Sequence, residues 1–246
     1  MTLSRLLLPL LLALPWLASA QPLTVSAAAS LTDAFKALAP RFEATRPGVT
    51  LRFNFAASGV LLQQIAQGAP VDVFASADAD TLDRAEARRL LLPGTRRDFA
   101  SNALVLVAPT GSPLAGLGEL ARPGVKRIAA GKPASVPVGR YTRQALEAAG
   151  LWVPLQPKLV WADNVRQVLD YVARGEVEAG FVYRSDAEPA RDRVTVVATV
   201  AGHAPIRYPA AAVADSRQPA LARAFVDFLG SAEARAILAR HGFGAP

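Results

Sequence analysis

The stretch LTVSAAASLTDAFKALAPRFEATRPG, residues 23–48, passes from a strand pattern to a helix pattern at one serine, Ser30. Residues 23–29 are apolar and small, which is typical of a short buried strand. Ser30 with Asp33 three residues later resembles a capping box, in which the serine oxygen accepts from backbone N–H groups at the helix start. The same hydroxyl can instead face a ligand, and this stretch leaves both roles open. Four apolar residues then follow at helical spacing: Leu31, Phe35, Leu38 and Phe42.

Strand and helix patterns alternate along the rest of the chain. This alternation predicts an α/β fold with mostly parallel sheets flanked by helices. The signals form two halves joined near residues 100–110, so we expect a first lobe from residues 21–100, a second from 101–195, and a return to the first in 196–246. Further strands are predicted at 49–56, 71–77, 103–109, 125–131, 194–200 and 208–214, and residues 179–187 are predicted as a buried strand that leads to a loop. Further helices are predicted at 58–68, 80–94, 139–150 and 164–176, with two closing helices after residue 215.

The first twenty residues have the pattern of a signal peptide. Arg5 precedes the apolar run LLLPLLLALPWL, and small residues at Ala18–Ala20 fit a cleavage site before Gln21. The run is short for a membrane span and contains Pro9 and Pro15, so an uncleaved anchor is the weaker alternative. We therefore expect an exported, periplasmic protein.

Charge and cysteine content narrow the function classes. The net charge is +7, but the arginines are scattered and no basic run alternates with aromatic residues, so no nucleic-acid partner is predicted. A positive field of this kind attracts small anions. The chain has no cysteine, which excludes disulfides and thiolate chemistry.

Catalytic and metal-binding motifs are absent from the sequence. Of its two histidines, His203 lies in a loop pattern and His241 at a helix end, which is a poor supply for a metal site. No nucleophile elbow, dinucleotide fingerprint or phosphate-binding loop occurs. Asp78 and Asp80 fit a helix start, where acids stabilise the helix dipole. We expect no enzyme activity, with a serine hydrolase as an alternative.

Five stretches carry a resemblance to a known family. In order and spacing they resemble the periplasmic molybdate-binding proteins of molybdate ABC importers, over essentially the whole chain after residue 20. The resemblance implies a two-lobed type II periplasmic-binding-protein fold, with molybdate or tungstate bound in the cleft and passed to a membrane permease. It also implies no cofactor and no direct protein ligand to the metal. The stretches are AAASLTDAF (27–35), FNFAASGVLLQQI (53–65), GAPVDVFASAD (68–78), VPVGRYTRQAL (136–146) and GFVYRSDA (180–187).

The resemblance also implies the residues that bind the oxyanion. Hydroxyl groups and N–H groups come from two serines, backbone N–H groups from two valines, and a phenol from one tyrosine. Val138 stands where alanine is usual, and Asn164 where an acid is common, so the edge of the pocket is expected to differ. Residues 71–78 are expected to build the sheet and its turn rather than the ligand shell. The five implied ligand residues are Ser30, Ser58, Val138, Val165 and Tyr183.

These five positions offer only hydrogen-bond donors. A fully deprotonated dianion suits them, whereas phosphate keeps a proton near neutral pH and needs an acceptor. Sulfate has the right charge but is smaller, so a cavity fitted to molybdate would lengthen several of its hydrogen bonds. The alternatives are a binding protein for sulfate or another tetrahedral oxyanion, an exported hydrolase using Ser30 or Ser58, and a module that binds a partner protein. We expect a monomer.

Overall fold

Two five-stranded sheets form the frame of the computed structural model, which describes residues 22–246. The expected signal peptide, residues 1–20, lies outside the described residues. The first sheet has the spatial order β2-β1-β3-β10-β4, and the second β7-β6-β8-β5-β9. The strands are β1 Leu23–Ala28, β2 Leu51–Ala56, β3 Val73–Ala75, β4 Arg97–Ser101, β5 Leu104–Pro109, β6 Ile128–Gly131, β7 Leu159–Ala162, β8 Ala179–Tyr183, β9 Val194–Thr199 and β10 Arg207–Ala212.

Helices cover both sheets. We call the first sheet with helices α1–α3, α8 and α9 the first lobe, and the second sheet with α4–α7 the second lobe. Within residues 22–246, no helix is both long and apolar enough to cross a membrane. The helices are α1 Thr32–Ala44, α2 Ser58–Ala66, α3 Ala79–Ala87, α4 Pro137–Ala148, α5 Trp152–Leu155, α6 Val165–Ala173, α7 Arg184–Ala187, α8 Pro219–Leu229 and α9 Ala232–Arg240.

Each sheet is mixed rather than uniformly parallel. In the first sheet β1 pairs parallel with β2 and β3, whereas β10 is antiparallel to both β3 and β4. In the second sheet β6 pairs parallel with β7 and β8, whereas β5 is antiparallel to both β8 and β9. The sequence analysis did not predict the reversed strands. They are β5 and β10, the strands by which the chain enters a lobe from the other lobe, without a crossover helix to restore the direction.

Two extended segments connect the lobes. The chain leaves β4 and enters β5 through residues 102–103, and it leaves β9 and enters β10 through residues 200–206. The expected return to the first lobe at residue 196 falls inside β9, which pairs with β5 in the second sheet. The second crossing therefore follows Thr199. Strands β4 and β7 are further differences from the sequence analysis, because four- and five-residue strands leave little periodic signal.

An aromatic cluster holds the first lobe together. Phe35 of α1 is fully buried, and its ring centroid lies 5.9 Å from those of Phe53, Phe99 and Phe225. Phe42, two turns further along α1, packs edge to face against Phe225, and their ring centroids are 5.0 Å apart. Since Phe225 belongs to α8, the last part of the chain packs back onto the lobe that the first part began.

Replacing Phe35 with alanine should strongly destabilise the first lobe. Loss of a buried phenylalanine costs about 3–5 kcal/mol, because transfer free energy is lost and a cavity remains. Val153→Ala is the control, since Val153 is 74% exposed and its truncation should change little. Urea unfolding measures both. Equal, small changes in the two variants would show that the aromatic cluster does not carry the stability of the lobe.

Candidate functional site

The five site residues expected from the sequence come together around one small cavity between the lobes. Its empty volume is about 210 Å³. The first lobe contributes the ends of β1 and β2 and the starts of the helices after them, and the second lobe contributes the starts of α4 and α6 and the end of β8. The lining residues are Ala28, Ala29, Ser30, Ala56, Ala57, Ser58, Ala77, Val136, Pro137, Val138, Asn164, Val165 and Tyr183.

Helix N-termini dominate the cavity wall. A 3₁₀ turn at Ala29–Leu31 leads into α1, and α2, α4 and α6 begin at the same cavity from three further directions. The first N–H groups of a helix have no partner inside the helix, and the helix dipole places partial positive charge there. Four such ends at one point make a cavity suited to an anion.

Ser30 is not a helix cap, so the capping-box prediction is wrong. Its hydroxyl oxygen lies 3.0 Å from Tyr208 Oη, and the start of α1 has no side-chain cap. The chain first makes a 3₁₀ turn, whose geometry moves Ser30 inside the turn and away from the capping position. Ser30 is buried at the cavity wall.

Ser58 is also a wall residue rather than a cap. It is the first residue of α2, after the cap position Ala57, and its oxygen accepts from the Ala77 N–H at 3.0 Å. Ala77 itself lines the cavity, within the stretch 71–78 that the sequence analysis expected to build the sheet and its turn. The turn after β3 thus holds the Ser58 hydroxyl in place.

The two valines each lie at the start of a helix that begins at the cavity. Val138 follows Pro137, which has no N–H, so Val138 carries the first N–H of α4. Its larger side chain fits because Gly131 has none: a Cβ built on Gly131 would lie 3.1 Å from Val138 Cγ1. Val165 is the first residue of α6, and Asn164 caps that helix by accepting from the Gln167 N–H at 3.0 Å. A neutral amide thus caps α6.

Tyr183 carries the most informative polar atom of the cavity. The residue is 1% exposed, and within residues 22–246 its hydroxyl oxygen has no hydrogen-bond partner. Burial, together with the nearby Tyr208, Tyr141, Asp78 and Asp186, raises the pKa of Tyr183 well above its ordinary value. The phenol therefore keeps its proton and can donate a hydrogen bond.

No charged residue is among the described residues that line the cavity. The described part of the chain also contains no group of three or more histidine, cysteine, aspartate or glutamate side chains placed to hold a metal ion. The cavity can therefore stabilise negative charge only through hydrogen-bond donors and backbone dipoles.

Charged residues surround the cavity one layer out and connect the two lobes. Arg140 of α4 donates from Nε to Asp78 Oδ2 at 2.9 Å, and from Nη2 to Thr81 Oγ1 at 2.7 Å. Asp78 also caps α3 by accepting from the Thr81 N–H, as a helix-start acid is expected to do. This ion pair joins the second lobe to the first directly behind Ala77.

A second arginine makes a similar connection on the other side. Arg166 Nη2 of α6 lies 2.9 Å from Asp33 of α1, and its Nε lies 3.0 Å from the buried Asp186 of its own lobe. The contact with Asp186 is ionic and outside hydrogen-bond geometry. Arg166 thus follows Val165, a cavity residue, and reaches across to the helix that follows Ser30.

The backbones of the two lobes also touch beside the cavity. The Gly59 N–H donates to Ser135 O at 3.0 Å, and a Cβ built on Gly59 would lie 2.6 Å from that oxygen. Only glycine allows this approach. Together with the two ion pairs, it shows that the lobes are closed over the cavity.

Sequence reasoning missed the residues that support the cavity from behind. The Tyr208 hydroxyl hydrogen-bonds to both Ser30 and Asn102. Arg140 and Arg166 form ion pairs that connect the two lobes. Their partners lie tens of residues or more away in the chain, so no local spacing indicates them. The only signal was their position: both arginines come one or two residues after an expected ligand residue.

The chain is similar to known binding proteins over its described length. Residues 23–244 match the family model described as bacterial extracellular solute-binding protein. The Escherichia coli molybdate-binding protein ModA is 38% identical over 237 residues, covering 92% of this chain and 90% of that protein. The Mycobacterium bovis molybdate-binding protein ModA is 40% identical over 232 residues, covering 92% and 86%.

A solved structure has the same fold. The Azotobacter vinelandii periplasmic molybdate-binding protein superposes with a TM-score of 0.81 at 27% identity, covering 91% of this chain and 99% of that one. The two-lobed, periplasmic-binding-protein fold expected from the sequence is thereby confirmed, with mixed sheets.

The buried Asp186 should make stability depend on pH. Burial raises the pKa of Asp186 to about 6, although Arg166 and the Tyr183 N–H oppose the shift. The native state thus holds this proton more tightly than the unfolded chain, so the contribution of Asp186 to the free energy of unfolding falls as pH rises from about 4 to about 6. Asp186→Asn cannot titrate. The free energy of unfolding of the wild type minus that of the variant should decrease over this range, as urea unfolding at several pH values would measure. A difference that stays constant or grows with pH would contradict the assignment.

Proposed function

The chain belongs to the family of bacterial extracellular solute-binding proteins, and we propose that it captures molybdate in its interlobe cavity for a membrane ABC importer. The observation that carries the proposal is the donor-only cavity, in which two serine hydroxyls, four helix starts and the unpartnered Tyr183 hydroxyl meet. The similarity to molybdate-binding proteins over nine-tenths of the chain supports the same ligand. We extend the proposal to tungstate, a dianion of the same shape.

The chemistry of the cavity fits a tetrahedral dianion. Molybdate offers four oxygens that only accept, and the cavity offers hydroxyl and N–H groups that donate. The hydrogen bonds to a charged group are the strong ones, so several of them can replace the water that the anion loses. No protein cation is needed, because helix dipoles and oriented N–H groups supply the compensating charge.

The same donor set disfavours two common competitors. Hydrogen phosphate brings an O–H group that would face donors with no acceptor opposite it, which leaves a buried donor unsatisfied. Sulfate has no such proton, but its smaller radius prevents its oxygens from reaching donors of both lobes at good length together. The cavity would thus reject phosphate because of its proton and sulfate because of its size.

Closure of the lobes fits the role of a carrier. The ligand would be bound by one lobe and enclosed by the other, with Arg140–Asp78 and Arg166–Asp33 forming as the lobes meet. Rotation about the two connecting segments is a hinge motion of the kind that periplasmic binding proteins use. We propose a periplasmic location, a membrane permease as partner, and a monomer as the working unit.

Hydrolysis is the weaker candidate. Ser30 Oγ contacts Tyr208 and Ser58 Oγ contacts a backbone N–H, and within the described residues neither contacts a histidine, lysine or carboxylate that could take its proton. We therefore propose that the protein binds without catalysis and without a cofactor.

Molybdate and tungstate should raise the melting temperature, and sulfate and phosphate at equal concentration should not. A ligand at a hundredfold excess over its Kd stabilises the native state by about 2.7 kcal/mol. For a protein of this size, that corresponds to a shift of about 5–10 °C in a thermal melt. Ionic strength must be matched, because any dianion screens a chain of net charge +7.

Two outcomes of this panel would count against the proposal. If sulfate raises the melting temperature as much as molybdate does, the protein is a general or sulfate-type anion carrier. If no oxyanion changes the melt, the proposed function is wrong and the donor-lined cavity serves another ligand.

Tyr183→Phe should weaken molybdate binding without lowering the stability of the unliganded protein. The hydroxyl makes no hydrogen bond to the described protein, so its removal costs the fold nothing, whereas the oxyanion loses a charged hydrogen bond worth about 1.5–3 kcal/mol. Affinity should fall roughly ten- to hundredfold in calorimetric titration.

Tyr171→Phe is the matched control for Tyr183→Phe. The Tyr171 hydroxyl accepts from Gln167 at 2.8 Å and does not line the cavity, so this variant should keep its molybdate affinity. Wild-type affinity in Tyr183→Phe would remove this hydroxyl from the binding site.

A further inference from the structure

The Tyr208 hydroxyl lies between the hinge and the cavity wall. Tyr208 is fully buried in β10, and its ring packs against Phe99, Tyr183 and Phe243. Its oxygen lies 3.0 Å from Ser30 Oγ on one side and 3.3 Å from Asn102 Nδ2 on the other. Tyr208 does not line the cavity, and Ser30 is the cavity residue that its hydroxyl contacts.

The direction of these hydrogen bonds follows from Asn102. Its Oδ1 accepts from the Ala103 N–H at 2.9 Å. If the amide oxygen and nitrogen were exchanged, the amide NH₂ group would face the Ala103 N–H, and two donors would oppose each other. The Nδ2 group therefore donates, to Ser185 Oγ at 2.8 Å and to Tyr208 Oη. Asn102 lies in the first segment that connects the lobes, between β4 and β5.

The donor direction at Asn102 also fixes the direction of the hydrogen bond between Tyr208 and Ser30. Since Tyr208 Oη accepts from Asn102, its own hydrogen is free for its other neighbour, Ser30 Oγ. Burial raises the pKa of Tyr208 well above its ordinary value, and nearby Asp186 adds to this, so the phenol keeps that hydrogen. Ser30 Oγ then accepts from Tyr208, and the Ser30 hydrogen is left to point into the cavity.

Ser58 reaches the same state by a simpler route. Its oxygen accepts from the Ala77 N–H, which can never accept in return. Both cavity serines thus have their oxygens engaged by donors, one by the backbone and one through two side chains.

We propose that Asn102 and Tyr208 are positioning residues that orient the Ser30 hydroxyl as a donor to the bound oxyanion. The inference rests on the proposed function and adds a specific cause for the donor-only character of the cavity. Without Tyr208 Oη, the Ser30 hydroxyl would rotate freely and would present its oxygen to the anion part of the time.

A double-mutant cycle between Tyr208 and Ser30 tests the proposal. Tyr208→Phe keeps the ring and removes only the hydroxyl, so we expect molybdate affinity to fall about two- to tenfold in calorimetric titration. In a Ser30→Ala background the same change should alter affinity less than twofold, because no hydroxyl remains to orient. Tyr171→Phe serves again as the control for loss of a phenol hydroxyl, and it should have no effect in either background.

Asn102→Asp provides a second test, because it should reverse the donor and acceptor direction of both hydrogen bonds. A carboxylate accepts from Tyr208, which then accepts from Ser30 and turns the serine oxygen toward the anion. The loss of molybdate affinity should exceed that of Tyr208→Phe, and it should be smaller in the Ser30→Ala background, where only the added negative charge acts.

The outcomes separate this inference from the proposed function. If the wild type binds molybdate but Tyr208→Phe and Asn102→Asp weaken binding equally with and without the Ser30 hydroxyl, the two residues act by packing or charge and the inference is overturned. Wild-type affinity in Tyr208→Phe overturns it as well. A wild-type protein that binds no molybdate overturns the proposed function, and the inference with it.

Discussion

On the proposed function, the need to hold a doubly charged anion in a dry cavity without a protein cation is the constraint that organises this molecule. Such a cavity stabilises charge only if the polar groups that face the anion donate hydrogen bonds to it and none competes as an acceptor. Helix starts are the densest source of such donors, and strands that end at the cleft bring helix starts to it. The parallel strands β1 and β2 of the first sheet and β6 and β7 of the second, which lead to these helix starts, therefore serve the site as much as the core.

Closure of the lobes follows from the same constraint. Donors from one lobe alone would leave half of the anion in water, so the proposal requires both lobes to meet around it, and the described contacts join the two lobes beside the cavity. Gly59 allows the backbones to touch, while Arg140 and Arg166 carry positive charge from the second lobe to acids of the first. These pairs cancel their own charge outside the cavity. A ligand that binds the closed form better than the open form shifts the population toward closure by its difference in affinity.

Much of this architecture could be predicted from the sequence, and the exceptions have physical reasons. Helical spacing placed the start of α2 at Ser58 correctly, whereas α1 begins at Thr32 after a 3₁₀ turn. The resemblance assigned the five residues that the structure gathers at one cavity. The capping role of Ser30 was wrong, because its hydroxyl contacts Tyr208, 178 residues away, and local spacing carries no trace of such a contact. The reversed strands β5 and β10 depend on where the chain crosses between lobes. The orientation of the Ser30 hydroxyl depends on three hydrogen bonds, from Ala103 to Asn102, from Asn102 to Tyr208 and from Tyr208 to Ser30. Only the folded chain brings these groups together.

A crystal structure of the protein grown with molybdate, with anomalous data collected at the molybdenum absorption edge, tests the central claim most directly. We predict one strong anomalous peak inside the cavity, with the anion oxygens within hydrogen-bond distance of the Ser30, Ser58 and Tyr183 hydroxyls and of the Val138 and Val165 N–H groups. A peak beside surface arginines, or a cavity without one, would contradict the account.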